Sequence, residues 1–177
     1  MNSSNSLPNG NWELALDRIL PTYGHRNWIV IADSAYPAHS NPGITTIATG
    51  ADHLQVLSEV LDRLSSCEHI RAHVYTDLEL KFISEEDAAG VCRYRLALDR
   101  LLAAHDTRAL EHEQIISRLD QAATLFNILI LKTTLRLPYT SVFLNLDCGY
   151  WSTDAEARLR ARLQAPDLNS ASTDVGA

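Results

Sequence analysis

Trp28-Ile29-Val30-Ile31-Ala32-Asp33 is a run of five apolar residues, β-branched through its centre and closed by a carboxylate. A strand with one wet face alternates polar and apolar positions. A short run without alternation reads instead as a strand buried on both faces, as in a parallel or mixed sheet covered by helices. Upstream, residues 12–20 place Trp12, Leu16, Ile19 and Leu20 on one helical stripe, with Gly24 just beyond its end. Downstream, Pro37, Pro42 and Gly43 make residues 34–43 a loop, and residues 44–48 read as a second short strand. Residues 52–64 carry the clearest helical pattern: Leu54, Leu57, Val60, Leu61 and Leu64 recur at three- and four-residue steps behind Asp52, a natural N-cap.

The alternation continues to the C-terminal side. Residues 69–76 read as a strand. Ser84, with Asp87 three residues on, resembles a capping box and opens a helical stretch to about residue 104, with a break near Gly90. Residues 111–125 read as helix, 126–131 and 142–146 as strands around a loop containing Pro138. Thr153 caps a short Arg-rich helix. Strands alternating with helices predict an α/β fold, a three-layer α/β/α arrangement around a parallel or mixed sheet. Residues 1–11 read as a flexible leader, 12–150 as one domain, 151–164 as a C-terminal helix and 165–177 as a disordered tail.

Bulk properties narrow the function classes. At 177 residues the chain suits one domain, able to bury about 70% of the surface its unfolded form exposes. A formal charge of −7 disfavours a surface built to grip nucleic acid or anionic lipid. No apolar run approaches the ~20 residues of a membrane span, and residues 1–10 lack a signal-peptide pattern. Cys67, Cys92 and Cys148 show no C-x-x-C spacing and read as reduced thiols in a cytoplasmic protein. There is no P-loop, G-x-G-x-x-G or G-x-S-x-G motif, so nucleotide and serine-hydrolase chemistry are set aside and no cofactor is expected.

The chemistry concentrates around the first strand. Gly24-His25 leads into it, Asp33 ends it, and Pro37-Ala38-His39-Ser40 follows. This ordered set over seventeen residues resembles the ribose pyranase and fucose mutarotase family, in which a Gly-His turn enters a buried strand ending in Asp and Pro-Ala-x-Ser comes soon after. A second match is Pro138-Tyr139-Thr140-Ser141 before an apolar run, with Ser141 where the family has Asn. Lys132-Thr133-Thr134-Leu135 departs from the family's basic-x-Gly-Glu pattern. The resemblance implies cofactor-free interconversion of ring or anomeric forms of a monosaccharide such as ribose or fucose. It assigns His25 as the acid/base, Asp33 as the hydroxyl-binding carboxylate, His39 as a further contact, and Tyr139 with Ser141 as an aromatic wall and polar contact. A basic or polar side chain ahead of the penultimate strand falls between His112 and Arg118, with Arg118 the candidate.

One geometric point stands apart from the resemblance. Eight extended steps at ~3.3 Å put His25 and Asp33 up to ~26 Å apart, far more than a monosaccharide spans. Unless the chain folds back there, a site using both is shared between subunits of a homo-oligomer, which the resemblance also implies. Two other readings stay open. His25, Asp33 and His39, or His69 and His73 on one strand face, are metal-ligand types without a helical H-x-x-x-H set. A non-catalytic sugar-binding or assembly protein would keep the pocket and lose the acid/base set.

Overall fold

The computed structural model describes residues 12–164; the leader and tail expected at the two ends lie outside them. In chain order the elements are α1 (Trp12–Ile19), β1 (Trp28–Ala32), β2 (Ile44–Ala48), α2 (His53–Ser65), β3 (Ile70–Asp77), α3 (Val91–Leu102), β4 (Thr107–Leu110), α4 (His112–Ala123), β5 (Ile128–Lys132), β6 (Val142–Cys148) and α5 (Thr153–Gln164). The strands form one mixed sheet in the order β2-β5-β1-β6-β3-β4.

Every residue of β1 is buried, because parallel β5 flanks it on one side and antiparallel β6 on the other. Its side chains feed two cores. Ile29 and Ile31 join Leu16, Leu57, Val60 and Leu98 beneath α1, α2 and α3, while Trp28, Val30 and Ala32 join Ile115, Leu119 and Phe143 beneath α4. This is the three-layer α/β/α architecture that the unbroken apolar run predicts. At ~25 cal/mol per Å² of apolar surface removed from water, a buried Leu or Ile contributes about 1.5–3 kcal/mol, and the layers are held chiefly by such contacts.

The register decides where the functional groups meet. Val142 of β6 pairs with Ile31 on one side and Thr76 on the other. Asp33, Asp77 and Ser141 therefore emerge together where β1 and β3 end and β6 begins. At the other end of the sheet Arg71 pairs with Asp147, and backbone bonds between Arg26 and Leu146 (2.8 Å) and between Leu146 and Asn27 (2.9 Å) bring the residues before β1 alongside.

Asp52 caps α2 as its sequence suggests, accepting from the Leu54 (2.9 Å) and Gln55 (3.2 Å) amides. Several local readings need correction. The Ser84–Asp87 bonds form, with the Asp87 amide 3.2 Å from Ser84 Oγ, but they close a turn rather than open a helix. Gly90 then adopts φ +93°, and α3 starts at Val91 with the Glu85 carboxylate receiving the Gly90 and Cys92 amides. β4 carries no apolar alternation and was not expected; it is a short, half-exposed edge strand along β3. Ser152, not Thr153, caps α5, its hydroxyl 3.1 Å from the Ala155 amide. Tyr139 and Ser141 precede β6, as the reading of residues 142–146 as the strand expects. None of the residues of α5 is buried.

Candidate functional site

At the carboxyl ends of β1 and β3 lies a cleft of ≈420 Å³, lined by Asp33, Tyr36, His39, His112, Glu113, Ile116, Pro138 and Tyr139 among others. Open α/β sheets place ligand sites at this end of their strands, where loops diverge. The Asp33 carboxylate accepts from the Ala35 amide (2.7 Å) and from Ser141 Oγ (3.3 Å), so the strand-end carboxylate and the serine at the family's Asn position do come together.

The sequence did not single out the group that dominates this cleft. His112 is the first residue of α4, and its backbone N–H donates to both carboxylate oxygens of Glu79 (3.0 and 3.1 Å). That anion sits where the helix dipole favours negative charge. The His112 ring places Nδ1 3.0 Å from Asp77 Oδ1. A carboxylate only accepts, so Nδ1 carries a proton and, in the neutral ring, Nε2 is left bare. Asp77 is 2% exposed, and its other oxygen has no hydrogen-bond partner among the described residues. Burial raises its pKa to about 6; the His112 bond opposes that rise, and the Glu79 and Asp33 charges add to it.

Tyr139 stands edge-on to His112, ring centroids 5.5 Å apart at 88°. Its backbone has φ +55°, a left-handed conformation that costs a bulky residue roughly 1–3 kcal/mol and persists only where neighbours enforce it. His39 lines the same cleft, its ring 5.9 Å from Tyr36 and its buried Nε2 without a partner among the described residues. Arg118 is not among the cleft residues; its guanidinium lies 5.6 Å over the Tyr75 ring.

His25 lies at the opposite end of the sheet. It sits in a turn in which the Asn27 side chain accepts from the Gly24 amide (2.8 Å) and Arg26 takes φ +75°. Its Nδ1 is 2.8 Å from Asp147 Oδ1, and the ring is mostly exposed. Arg71 NH2 (2.7 Å) and His73 Nε2 (3.4 Å) share the other oxygen of Asp147. Burial works against this charge, but the bonds from Arg71, the Cys148 amide, His73 and His25 hold the carboxylate far below its usual range. The single chain therefore does not bring His25 to Asp33. His69, considered as a metal ligand with His73, instead lies 3.3 Å from the Leu20 carbonyl. Among the described residues no three His, Cys, Asp or Glu side chains are grouped to hold a metal ion, and no helix is long and apolar enough to cross a membrane.

Asp77 and Glu79 were legible in one respect, since Asp77-x-Glu79 follows a predicted strand as Asp33 follows β1. Nothing local in sequence joins them to His112.

No curated protein matches the chain. Among solved structures it is similar to RbsD of Bacillus subtilis, solved in complex with D-ribose, at 19% identity and a TM-score of 0.53, covering 82% of this chain and 98% of that one. It is also similar to the fucose mutarotase of Streptococcus pneumoniae, solved with L-fucose, at 16% identity and a TM-score of 0.51, covering 75% of this chain and 91% of that one. Those likenesses establish the fold. The model of the RbsD / FucU transport protein family matches residues 12–147, three quarters of the chain, and the protein belongs to that family.

Proposed function

We propose that the protein is a cofactor-free isomerase that interconverts ring or anomeric forms of a monosaccharide, in a cleft completed by a second copy of the chain. A cyclic sugar is a hemiacetal. Opening it needs one proton delivered to the ring oxygen and one removed from the anomeric hydroxyl; rotation and reclosure then give another form. The observation that carries the reading is the Asp77–His112 pair, a carboxylate-backed imidazole facing a cleft that also holds Tyr139 and Asp33, the latter bonded to Ser141 beneath it. Nε2 of His112 is the atom that transfers the proton, a step worth about 10²–10⁴ in rate. Asp33 and Ser141 orient hydroxyls, and the Tyr139 ring covers an apolar sugar face.

His25 has the same construction: Nδ1 lies on the Asp147 carboxylate, and the side chain is more than half exposed. Two imidazoles of this kind are the acid and the base that ring opening requires. Because they occupy opposite ends of one sheet, His25 would serve the cleft of a neighbouring subunit in a closed homo-oligomer. The family relationship, with one relative solved on D-ribose and another on L-fucose, supports such neutral sugars as substrates. Cytoplasmic location is part of this reading.

Subunit mixing tests it. His25→Ala and His112→Gln should each lose about 10²–10⁴ in sugar-form exchange by saturation-transfer NMR while folding as the parent does. Mixed under conditions of subunit exchange, the two variants should regain activity, since some hybrid sites then hold both imidazoles. Full exchange by His112→Gln overturns the reading. If both variants are inactive and the mixture stays inactive, the shared site is lost. A non-catalytic sugar-binding protein would show ligand binding without exchange in the parent itself.

A further inference from the structure

Beneath the cleft, on the α2/α3 side, lies a buried polar chain that the reaction scheme above does not use. His53 is fully buried at the start of α2, and Tyr94 is buried within α3. His53 Nε2 lies 3.2 Å from the Ile31 carbonyl, and its Nδ1 lies 3.1 Å from the Tyr94 hydroxyl. That hydroxyl is also 3.1 Å from the Thr140 carbonyl. Ile31 lies two residues before Asp33, and Thr140 stands between Tyr139 and Ser141. Three of the groups lining or bracing the cleft are thus one or two residues from this chain.

Thr140 is gripped from both sides. Its own hydroxyl donates to the Leu137 carbonyl at 2.8 Å, and its carbonyl meets Tyr94. The residue before it, Tyr139, carries the left-handed backbone, and its ring is 42% exposed, so packing alone does not fix it. Backbone conformations of this kind survive when the surroundings over-determine them. Burial lowers the His53 pKa to about 4, opposed by the Ile31 bond and the Asp52 and Asp33 charges, so the ring is neutral at physiological pH. A neutral ring with the one hydroxyl proton can make only two of the three contacts as hydrogen bonds at a time. His53 and Thr140 therefore bear on the same proton.

We propose that the Tyr94 hydroxyl, donating to the Thr140 carbonyl, is a positioning group: through that carbonyl it holds Tyr139 in its left-handed conformation, with the ring set against His112. Tyr94 does not touch the sugar. It acts through Tyr139, and the consequence for catalysis rests on the cleft being the sugar site, as proposed above. A hydroxyl whose only role is to satisfy a buried polar group would affect melting and leave the cleft unchanged.

Tyr94→Phe keeps the ring in the core and removes only the oxygen. The His112 ring protons report the position of the Tyr139 ring through its ring current. In Tyr94→Phe they should move toward their positions in Tyr139→Ala. In sugar exchange KM should rise about fivefold to tenfold, the size of one hydrogen bond, with kcat changed less. In a Tyr139→Ala background Tyr94→Phe should add nothing to KM. Parent-like His112 resonances and KM in Tyr94→Phe overturn the proposal, as does an equal loss with and without the Tyr139 ring. Should Tyr94→Phe fail to fold, Thr140→Val, which frees the same residue from Leu137, must move the His112 resonances in the same direction; no movement overturns the brace. If the parent exchanges neither D-ribose nor L-fucose, the functional reading fails while the His112 resonances still judge the brace.

Discussion

Asp77 and Asp147 sit on adjacent strands, β3 and β6, at opposite ends of the sheet, and each holds the Nδ1 of a histidine. Their surroundings differ in every other respect. Asp77 is buried, has His112 as its side-chain donor, leaves one oxygen unpartnered among the described residues, and has a pKa raised to about 6. Asp147 is partly solvated and receives Arg71, His73, His25 and a backbone amide, so it stays ionised to far lower pH. One carboxylate is poised and the other is locked. The contrast teaches where proton chemistry is tuned: burial without full compensation marks the cleft end, while saturation with donors marks the end that presents a fixed imidazole.

Replacing each carboxylate separates the two roles. Asp77→Asn should lower sugar exchange about tenfold to a hundredfold, the worth of a charge-assisted bond that fixes the His112 tautomer. The parent's exchange should also fall as pH drops through about 6, and this limb should vanish in the variant. The same substitution should stabilise the fold at pH 7.5, by at most about 3 kcal/mol. The sign follows from the raised pKa: folding disfavours the ionised form, so the parent gains stability as pH falls from about 6 toward 3.8, and the variant's advantage shrinks to nothing there. His53, with its pKa lowered to about 4, contributes a slope of the opposite sign below 6.5. The parent–variant difference in denaturant midpoint at each pH is therefore the measure. A variant less stable than the parent at pH 7.5 would break the contrast.

Asp147→Asn should do the reverse, destabilising by about 1 kcal/mol at neutral pH once solvent screening of a partly exposed cluster is allowed for. Its lowered pKa means that this contribution is present above the ordinary carboxylate range and is lost only as pH falls below it. Denaturation of both variants between pH 3 and 7.5 checks the two signs side by side. The smallest effect belongs to Ser141→Ala, which removes a 3.3 Å bond to Asp33. It should raise KM about threefold with little change in melting temperature.

Local chemistry made much of this legible. The unbroken run of β1, the capped stripe of α2 and the strand-end Asp33 each carry their meaning within a dozen residues. The four-residue stretch beginning at Pro138 likewise announced Tyr139 and Ser141. What stayed hidden depends on register. His112 meets Asp77 across 35 residues only because α4 begins where β4 ends beside β3, and β4 itself, Thr-Arg-Ala-Leu, has no pattern of its own. The break at Gly90 was foreseen, but a capping motif seven residues ahead of α3 was not enough to show which bonds would continue into helix.

The order of the strands has one more implication, for the making of the molecule. β6 is the last strand along the chain yet lies between β1 and β3, bonded to both. On a ribosome the earlier strands emerge with that central slot vacant, and two long-range pairings wait on the same late segment. Nascent chains that stop short of residue 142 cannot bring the two halves of the sheet together, so proteolytic resistance should appear abruptly once β6 has cleared the exit tunnel.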